Sequence, residues 1–428
     1  MIPINEQSYP LPNGWRWCRL GDVCQITPPK ISTCNLADDL EVSFIPMSAI
    51  SETSGEITAP QKKFLYEVKN GFTNFAEGDV LFARITPCME NGKSALVGKL
   101  VNHIGYGSTE FFVLRCGEQV LNRFVYHLVR WRIFRDEAKS VMAGSVGQQR
   151  VPKKFLLNYK LPLPPIDEQQ RIVDLLDELF AKLDEAKNLV QAVFDGSELR
   201  RAAILHKTFT GEISYLWREK HSTTLDSWQR CPLGYVCNYG CNETVQPSAM
   251  KVGKLLIGLE DIEKDSGKLI RRKFFDGTNA TSPKHAFRRG NVLYGKLRPY
   301  LNKVIIADMD GYCSSEILPL DFSERVLNSF AQYILLSPDF VQYANQNSYG
   351  TNMPRLGMRA GQRAPFPLPP LAEQKEIVRL LDDLLYREQQ TKNIAGKILE
   401  RVELLKEYIL AQVFCGKFLT NKLEESLS

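Results

Sequence analysis

The chain has 428 residues, of which 44% are hydrophobic and 24% are charged, a composition typical of a globular protein. This length exceeds what one ordinary hydrophobic core supports, so we expect two or more domains. The formal net charge of +5 is too small to identify a partner, and no run approaches the roughly 18 apolar residues of a membrane-spanning helix.

The cysteines indicate a protein of a reducing compartment. None of the ten forms a Cys-x-x-Cys pair, and Cys231, Cys237 and Cys241 lack the spacing of a zinc ribbon or finger. The first residues have neither the basic region nor the apolar core of a secretion signal. We therefore predict free thiols, no metal site and a cytoplasmic location.

Residues 1–160 have the pattern of a mixed α/β domain. Short β-like runs at 42–45, 79–84, 94–97 and 111–114 are separated by Gly, Pro and Asn. Residues 121–138 predict one helix.

Residues 161–215 begin with a proline run and continue as a long helix. Pro162, Pro164 and Pro165 hold the approach extended, and Asp167 with Gln170 has the spacing of a capping box. Gly196 provides a point at which the helix can break. Apolar residues then recur at alternating spacings of four and three, the spacing of a coiled coil. The predicted seam residues of this helix are Ile172, Leu176, Leu179 and Leu183.

The second half of the chain repeats the first. Residues 366–428 match the proline run and helix at an offset of 205 residues without a gap, and residues 216–365 match the first domain loosely. The matching domain segments are 75–82 with 287–294, 108–110 with 314–316, and 144–145 with 350–351. An internal repeat of this length predicts the order domain, helix, domain, helix.

The second helix has a seam that polar residues interrupt. Its predicted seam residues are Ile377, Leu381 and Leu384. Glu388 and Thr391 come next in the same stripe, so the seam there is loose or faces a partner. Two such helices in one chain most simply pack on each other; the alternative, two unrelated amphipathic helices, does not explain the gap-free repeat.

Clustered positive charge indicates nucleic-acid binding. Residues 268–303 contain ten Lys or Arg against the single acid Asp276, with five Phe or Tyr interleaved. Such cations neutralise phosphates and release counterions; the alternative is a basic face exposed only to solvent. The predicted contacts lie in loops after two matching strands, one in each domain. They are Lys296, Arg298, Tyr300, Asn302 and Lys303 in the second domain, and Arg84, Thr86, Asn91 and Lys93 in the first.

No catalytic constellation accompanies this charge. Gly92-Lys93-Ser94 has the end of a phosphate-binding loop, but Pro87 stands where its first Gly is required. The tetrapeptide of a DNA amino-methyltransferase is missing, and the five histidines are scattered. The Glu-x-Lys spacing of some nucleases occurs at Glu67 and Glu373, but this short pattern arises often by chance.

The repeated Pro-Leu-Pro-Pro-(Ile/Leu)-x-Glu-Gln motif resembles the specificity subunit of Type I restriction–modification enzymes. Each copy starts a long helix and comes after a domain that opens with a Trp-x-x-x-x-Leu-Gly segment. Two segments before the proline runs, residues 144–149 and 350–355, also resemble the family. On this resemblance the set of DNA contacts gains Gln148, Gln149, Arg150 and Arg355.

The resemblance implies an α+β fold with two target recognition domains, each reading one half of a split, asymmetric DNA sequence. Two long helices would separate them, packed as an antiparallel coiled coil in a pseudo-two-fold repeat. The helices would also dock two modification subunits, which carry S-adenosylmethionine, and restriction (motor-nuclease) subunits would join them. The chain itself would hold no active site, cofactor or metal.

Two other classes stay open from the sequence. A stand-alone methyltransferase or nuclease is disfavoured by the missing site motifs. A protein-only scaffold is disfavoured by the basic stretches.

Overall fold

The computed structural model of the protein describes residues 11–31, 36–145 and 147–417. Cys34, Val146 of the segment before the first proline run, and positions 418–428 of the second helical region lie outside the described residues. The chain divides into two compact units. Unit 1 comprises residues 1–190 and 397–428, and unit 2 comprises residues 191–396.

Unit 1 contains two four-stranded sheets and a two-stranded ribbon. One sheet has the order Cys24–Ile26, Phe111–Cys116, Val80–Ala83, Ser94–Leu96, with antiparallel neighbours. The other has the order Gln61–Phe64, Glu41–Ile45, Gly105–Gly107, Thr73–Phe75, and its central pair is parallel. The ribbon pairs Arg16–Arg19 with Lys160–Leu163, so the proline run lies beside the start of the domain.

The predicted strands of the first domain are confirmed, but its predicted helix is wrong in one respect. Residues 121–138 form two helices rather than one, because Trp131 between them has an extended backbone (ψ 130°) and a buried side chain. The helices of this unit are Leu20–Val23, Leu65–Val68, Asn122–Arg130, Arg132–Ser140, Lys153–Asn158 and Ile166–Asp195, with short 3₁₀ turns at Met47–Ala49 and Val101–His103.

Unit 2 repeats this arrangement. Its larger sheet has the order Thr244–Val245, Lys284–Phe287, Gly311–Cys313, Leu255–Ile257, Lys273–Phe274, again with a parallel central pair. Its smaller sheet has the order Val304–Ile306, Val292–Gly295, Ile317–Leu320. Two ribbons pair Gln229–Pro232 with Pro365–Leu368 and Ser348–Tyr349 with Arg355–Leu356.

The helix break predicted at Gly196 is confirmed. The first long helix ends at Asp195, and Ser197–Thr210 comes after it. The remaining helices are Tyr215–Lys220, Asn328–Leu336, Pro338–Gln346, Met358–Gln362 and Leu371–Phe414, with 3₁₀ turns at Glu212–Ser214, Leu225–Ser227, Leu233–Tyr235, Pro247–Ala249, Leu259–Asp261 and Pro299–Leu301. The long helix Leu371–Phe414 belongs to unit 2 as far as residue 396 and to unit 1 from residue 397.

Each unit buries the start of a long helix in its own core. Ile172 and Leu176 pack in the core of unit 1, and Ile377 and Leu381 pack in the core of unit 2. Leu179 and Leu183 are only partly buried. The assignment of Leu384 is corrected, because its side chain is 37% exposed whereas Leu385 is 9% exposed. Ile377, Leu381 and Leu385 are each four residues apart and lie on one face of the helix, which packs on the core of the domain. In this part of the helix, the apolar residues therefore pack on the domain and not along a coiled-coil seam.

A buried glutamine fixes each proline run to its domain. Gln169 is fully buried: its amide nitrogen donates to the carbonyls of Gln119 and Pro164 at 3.0 and 2.9 Å, and its oxygen accepts from the Leu121 amide at 2.8 Å. Gln374 makes the same three bonds in unit 2. The predicted capping role of Gln170 is not seen, since its side chain donates to Asp174.

Within each unit, the packed helices run in opposite directions. In unit 1, Lys187 pairs with Glu403 at 2.6 Å, and Asp184 pairs with Lys406. In unit 2, Arg200 donates to Glu388 at 2.8 Å, and Lys392 pairs with Glu198 at 3.9 Å. The polar interruption of the second stripe at Glu388 is therefore a matched ion pair. Thr391 donates to the backbone carbonyl of Arg387 on its own helix.

Candidate nucleic-acid interface

Three separate segments of unit 1 converge on one surface. They are residues 84–86 after the strand Val80–Ala83, Glu110 before the strand Phe111–Cys116, and the hairpin 143–150. The Arg84 amide donates to the Glu110 carbonyl at 2.9 Å, and the Thr86 amide donates to the Gln149 carbonyl at 3.0 Å. Residues far apart in the sequence, which were assigned to DNA contact separately, thus lie together. We call this set the three-segment surface of unit 1.

The Glu110 carboxylate holds two of these segments together. It accepts two bonds from Arg150, at 2.7 Å from Nη2 and 3.0 Å from Nε, and one from Arg84 Nε at 3.1 Å. These arginines hold the pKa of Glu110 below its usual value, Arg150 chiefly and Arg84 to a lesser degree. The carboxylate is therefore ionised at neutral pH and can hold both cations.

The hairpin of unit 1 exposes its tip. Ala143 and Arg150 exchange two main-chain hydrogen bonds of 3.0 and 2.8 Å, which close the hairpin. Gly144 has φ +131°, and a Cβ there would lie 2.8 Å from the Gln148 carbonyl oxygen, so the turn requires glycine. Gln148 is exposed at the tip, whereas Gln149 and Arg150 are partly buried.

The same surface occurs in unit 2. The Lys296 amide donates to the Glu316 carbonyl at 3.0 Å, and the Arg298 amide donates to the Pro354 carbonyl at 2.7 Å. Arg355 donates two bonds to the Glu316 carboxylate, at 2.8 and 3.0 Å. The three-segment surface of unit 2 therefore comprises residues 296–298, Glu316 and the hairpin 348–356.

Exposed basic, aromatic and apolar side chains surround this second surface. Arg298 is exposed, and Tyr300 is 48% exposed. On the hairpin, Tyr349 is 64% exposed and Met353 is 45% exposed. Cations beside exposed aromatic rings offer both phosphate neutralisation and stacking, which suits a nucleic acid.

Four of the predicted contacts bond inside their own domains instead. Lys93 donates to the Met47 carbonyl at 3.1 Å, and Lys303 donates to the Leu259 carbonyl at 2.6 Å. Asn302 is 7% exposed and donates to a carbonyl of the helix Asn328–Leu336, so this position does not fit the prediction that its side chain contacts DNA. Asn91 is exposed but donates to Glu52 at 3.1 Å.

Sequence reasoning did not assign Glu110 and Glu316 to the site. Both occur in a segment that matches between the repeats, 108–110 with 314–316. An acidic residue that recurs in both copies, among predicted contacts that are mostly basic, was the available signal for an ion pair. Tyr349 and Met353 gave no such signal, because neither is part of a basic cluster.

Within residues 11–31, 36–145 and 147–417, no group of three or more His, Cys, Asp or Glu side chains is placed to hold a metal ion. No helix in these ranges combines the length and apolar character needed to cross a membrane.

The two α+β units and their matching three-segment surfaces define a class of duplicated protein with two similar modules. The family model described as "Type I restriction modification DNA specificity domain" matches residues 12–192 and 269–401. The chain therefore belongs to this family.

Two relatives that are Type I restriction enzyme specificity subunits agree with this membership. The chain is 40% identical over 186 residues to the Type I restriction enzyme EcoAI specificity subunit of Escherichia coli, covering 43% of this chain and 31% of that protein. It is 26% identical over 319 residues to the EcoDI specificity subunit of Escherichia coli, covering 70% of each. The match to EcoAI thus spans less than a third of that relative.

Two solved structures share the fold over nearly the whole chain. The HsdS subunit from Thermoanaerobacter tengcongensis is 22% identical with a TM-score of 0.66, covering 97% of this chain and all of that chain. A chain from a structure of complex assembly and conformational transition in the type I R-M system is also 22% identical, with a TM-score of 0.74. The match covers 96% of this chain and 100% of that chain.

Proposed function

We propose that this chain is the DNA-reading specificity subunit of a Type I restriction–modification enzyme, with each domain reading one half of a bipartite, asymmetric site. One observation carries the proposal. The three-segment surface has the same main-chain hydrogen bonds in both units, whereas the exposed side chains around it differ. A shared framework with different exposed groups is what two readers of two different half-sites require.

The exposed groups fit contact with a duplex. Arg298 offers a cation to phosphate or to a guanine edge, and the Gln148 amide offers a paired donor and acceptor to an adenine edge. The hairpin arginines of the three-segment surfaces, Arg150 and Arg355, are already paired with carboxylates. We therefore assign base and phosphate contact to the loop and hairpin tips rather than to these two arginines.

The long helices would pack as an antiparallel coiled coil between the target recognition domains. The opposed pairs within each unit support this, Lys187 with Glu403 in unit 1 and Arg200 with Glu388 in unit 2. On this proposal the target recognition domains are residues 1–160 and 216–365, the helical regions are residues 161–215 and 366–428, and the whole is a pseudo-two-fold repeat.

The outer face of the second long helix would dock the modification subunits. It exposes large side chains that no core residue covers: Tyr386, Ile394, Leu404 and Tyr408 are between 56% and 65% exposed. Apolar groups of this size on a helix face suit a protein partner. We propose two modification subunits that supply S-adenosylmethionine and the methylation chemistry, with restriction subunits joining them in the cytoplasm. The specificity chain then needs no cofactor or active site of its own.

DNA binding with and without the modification subunits tests this function. We expect sequence-specific binding and methylation by the complex, and loss of methylation at one defined bipartite sequence when this chain is omitted. Methylation by the modification subunits alone at the same sequence would refute the proposal. So would nuclease or methyltransferase activity of this chain alone.

Variants of the helix test the docking face. Ile394→Asp with Tyr408→Asp should abolish co-purification of the modification subunits while leaving the thermal midpoint of the chain unchanged. Asp174→Asn, an exposed change on the other long helix, is the control. Co-purification of the double variant at the wild-type ratio would refute this docking face.

A further inference from the structure

One carboxylate occupies the same place in both three-segment surfaces. Glu110 and Glu316 each accept a main-chain amide at their own carbonyl, from residue 84 or residue 296. Each also accepts two bonds from an arginine in the second strand of the hairpin, Arg150 or Arg355. A two-bond arginine–carboxylate pair fixes orientation as well as distance, so each glutamate sets the position of its hairpin against the preceding loop.

The two surfaces differ in the second cation. In unit 1, Arg84 also donates to Glu110, at 3.1 Å. In unit 2, Lys296 occupies the corresponding position, and no side-chain hydrogen bond or ion pair is described for it within residues 147–417. Glu110 therefore holds two cations, whereas Glu316 holds one, Arg355.

We infer that Glu110 and Glu316 are positioning residues of DNA recognition, and that the residue at position 84 or 296 decides whether its surface offers a cation to DNA. This inference rests on the proposed function. In unit 1 both guanidinium groups are held by Glu110, so that surface reads DNA through its hairpin tip. In unit 2 the Lys296 ammonium is available to a phosphate.

The pairing explains why Arg150 and Arg355 do not need to touch DNA. Their side chains are 42% and 30% exposed, and both of the nitrogens that face the carboxylate are occupied. Replacing the glutamate with glutamine removes the charge and one of the two acceptor oxygens. The hairpin then keeps its main-chain bonds, but its tip is no longer held in one orientation.

The first experiment compares Glu110→Gln with Glu316→Gln in the full chain bound to the modification subunits. Discrimination is measured separately for substitutions in each half-site. We expect each variant to lose on the order of tenfold discrimination at one half-site and none at the other, the size of one base contact. Glu168→Gln is the control, because Glu168 makes a similar two-bond pair with Arg171 outside both surfaces.

The second experiment measures how binding depends on salt. Lys296→Met should lower the slope of log K against log salt by about 0.9, the value for one phosphate contact. Arg84→Met should leave the slope unchanged, because its charge is already paired. Equal slopes for both variants would overturn the inference about the second cation.

The outcomes separate the inference from the function on which it rests. A wild-type complex without half-site preference would overturn the proposed function and this inference together. A wild-type complex with a preference that both glutamine variants keep would overturn the inference alone. A loss at both half-sites from either single variant, with a lowered thermal midpoint, would make the glutamates merely structural and would also overturn it.

Discussion

Replacing Gln374 with leucine tests what joins the second domain to its helix. The glutamine is fully buried and pairs with three main-chain groups: the amide of Leu327 and the carbonyls of Arg325 and Pro369, all at 2.8–2.9 Å. Leucine has a similar volume but no polar group. The change therefore leaves one buried amide and two carbonyls without their partner.

The expected loss of folding free energy comes from these three groups. An unsatisfied buried polar group costs about 1–3 kcal/mol, and carbonyls are the more tolerant kind, so we expect about 3–5 kcal/mol in total. For a unit of this size, that is a fall of about 10 °C in the thermal midpoint. Gln169→Leu should have the same effect in unit 1, because Gln169 makes the same bonds there.

Hydrogen exchange gives the local readout. The Leu327 amide should exchange faster in Gln374→Leu, while the Leu121 amide, which bonds Gln169 in unit 1, should keep its wild-type rate. Gln170→Leu is the matched control, because that side chain is exposed and bonds only Asp174. A wild-type thermal midpoint together with an unchanged rate at Leu327 would refute the reasoning.

Three further predictions concern buried charge, pH and DNA. Arg218→Ala should destabilise unit 2 by about 3–5 kcal/mol in urea unfolding, because it leaves the fully buried Glu373 without its cation; a loss below about 1 kcal/mol would contradict this. Burial lowers the pKa of His127, so the neutral ring is the folded form and stability should fall as pH drops below about 6.5. In His127→Tyr, the difference between the thermal midpoints at about pH 7 and about pH 5 should be smaller than in the wild type. An unchanged difference would show that His127 does not cause the fall in stability. Arg298→Gln should lower the salt slope of DNA binding by about 0.9, whereas Lys303→Met, which loses an internal bond, should leave it unchanged.

The architecture was predictable from the sequence because the repeat constrains both halves at once. The proline runs match without a gap, and the same glutamine bonds recur at both. The strands were predictable from short apolar runs between turn residues. The break at Trp131 was not predictable, because a buried tryptophan between two apolar helices leaves the helical periodicity intact.

Side-chain roles were less predictable than positions. Lys93 and Lys303 both precede a matching strand, and each bonds the first carbonyl of a 3₁₀ turn. A lysine at this place in both copies is a framework residue, although charge alone suggested DNA contact. Arg84 and Lys296 occupy the same place in the two copies, but they differ in residue type and in side-chain hydrogen bonding. In a duplicated chain, a polar residue that both copies share belongs to the common framework. A polar residue that differs between the copies indicates a place where their functions differ.

The Glu-Gln pair that starts each long helix shows the limit of that rule. Gln169 and Gln374 make the same bonds, but the glutamates before them do not. Glu168 pairs with Arg171 on its own helix, whereas Glu373 is fully buried and accepts from Arg218 and from the Trp228 indole.

In the second copy, the cation that pairs with the glutamate comes from the linking segment between the repeats. Arg218 lies on the helix Tyr215–Lys220, in the segment that links the first long helix to the second domain. At the repeat offset, residues 420–425 correspond to this helix, and they lie outside the described residues. A linking segment exists between the two copies of the repeat, and it supplies the cation that lets Glu373 be buried as a charge. The motif itself does not decide whether its glutamate is a surface residue or a buried anchor; the linking segment does, because its arginine reaches the second copy.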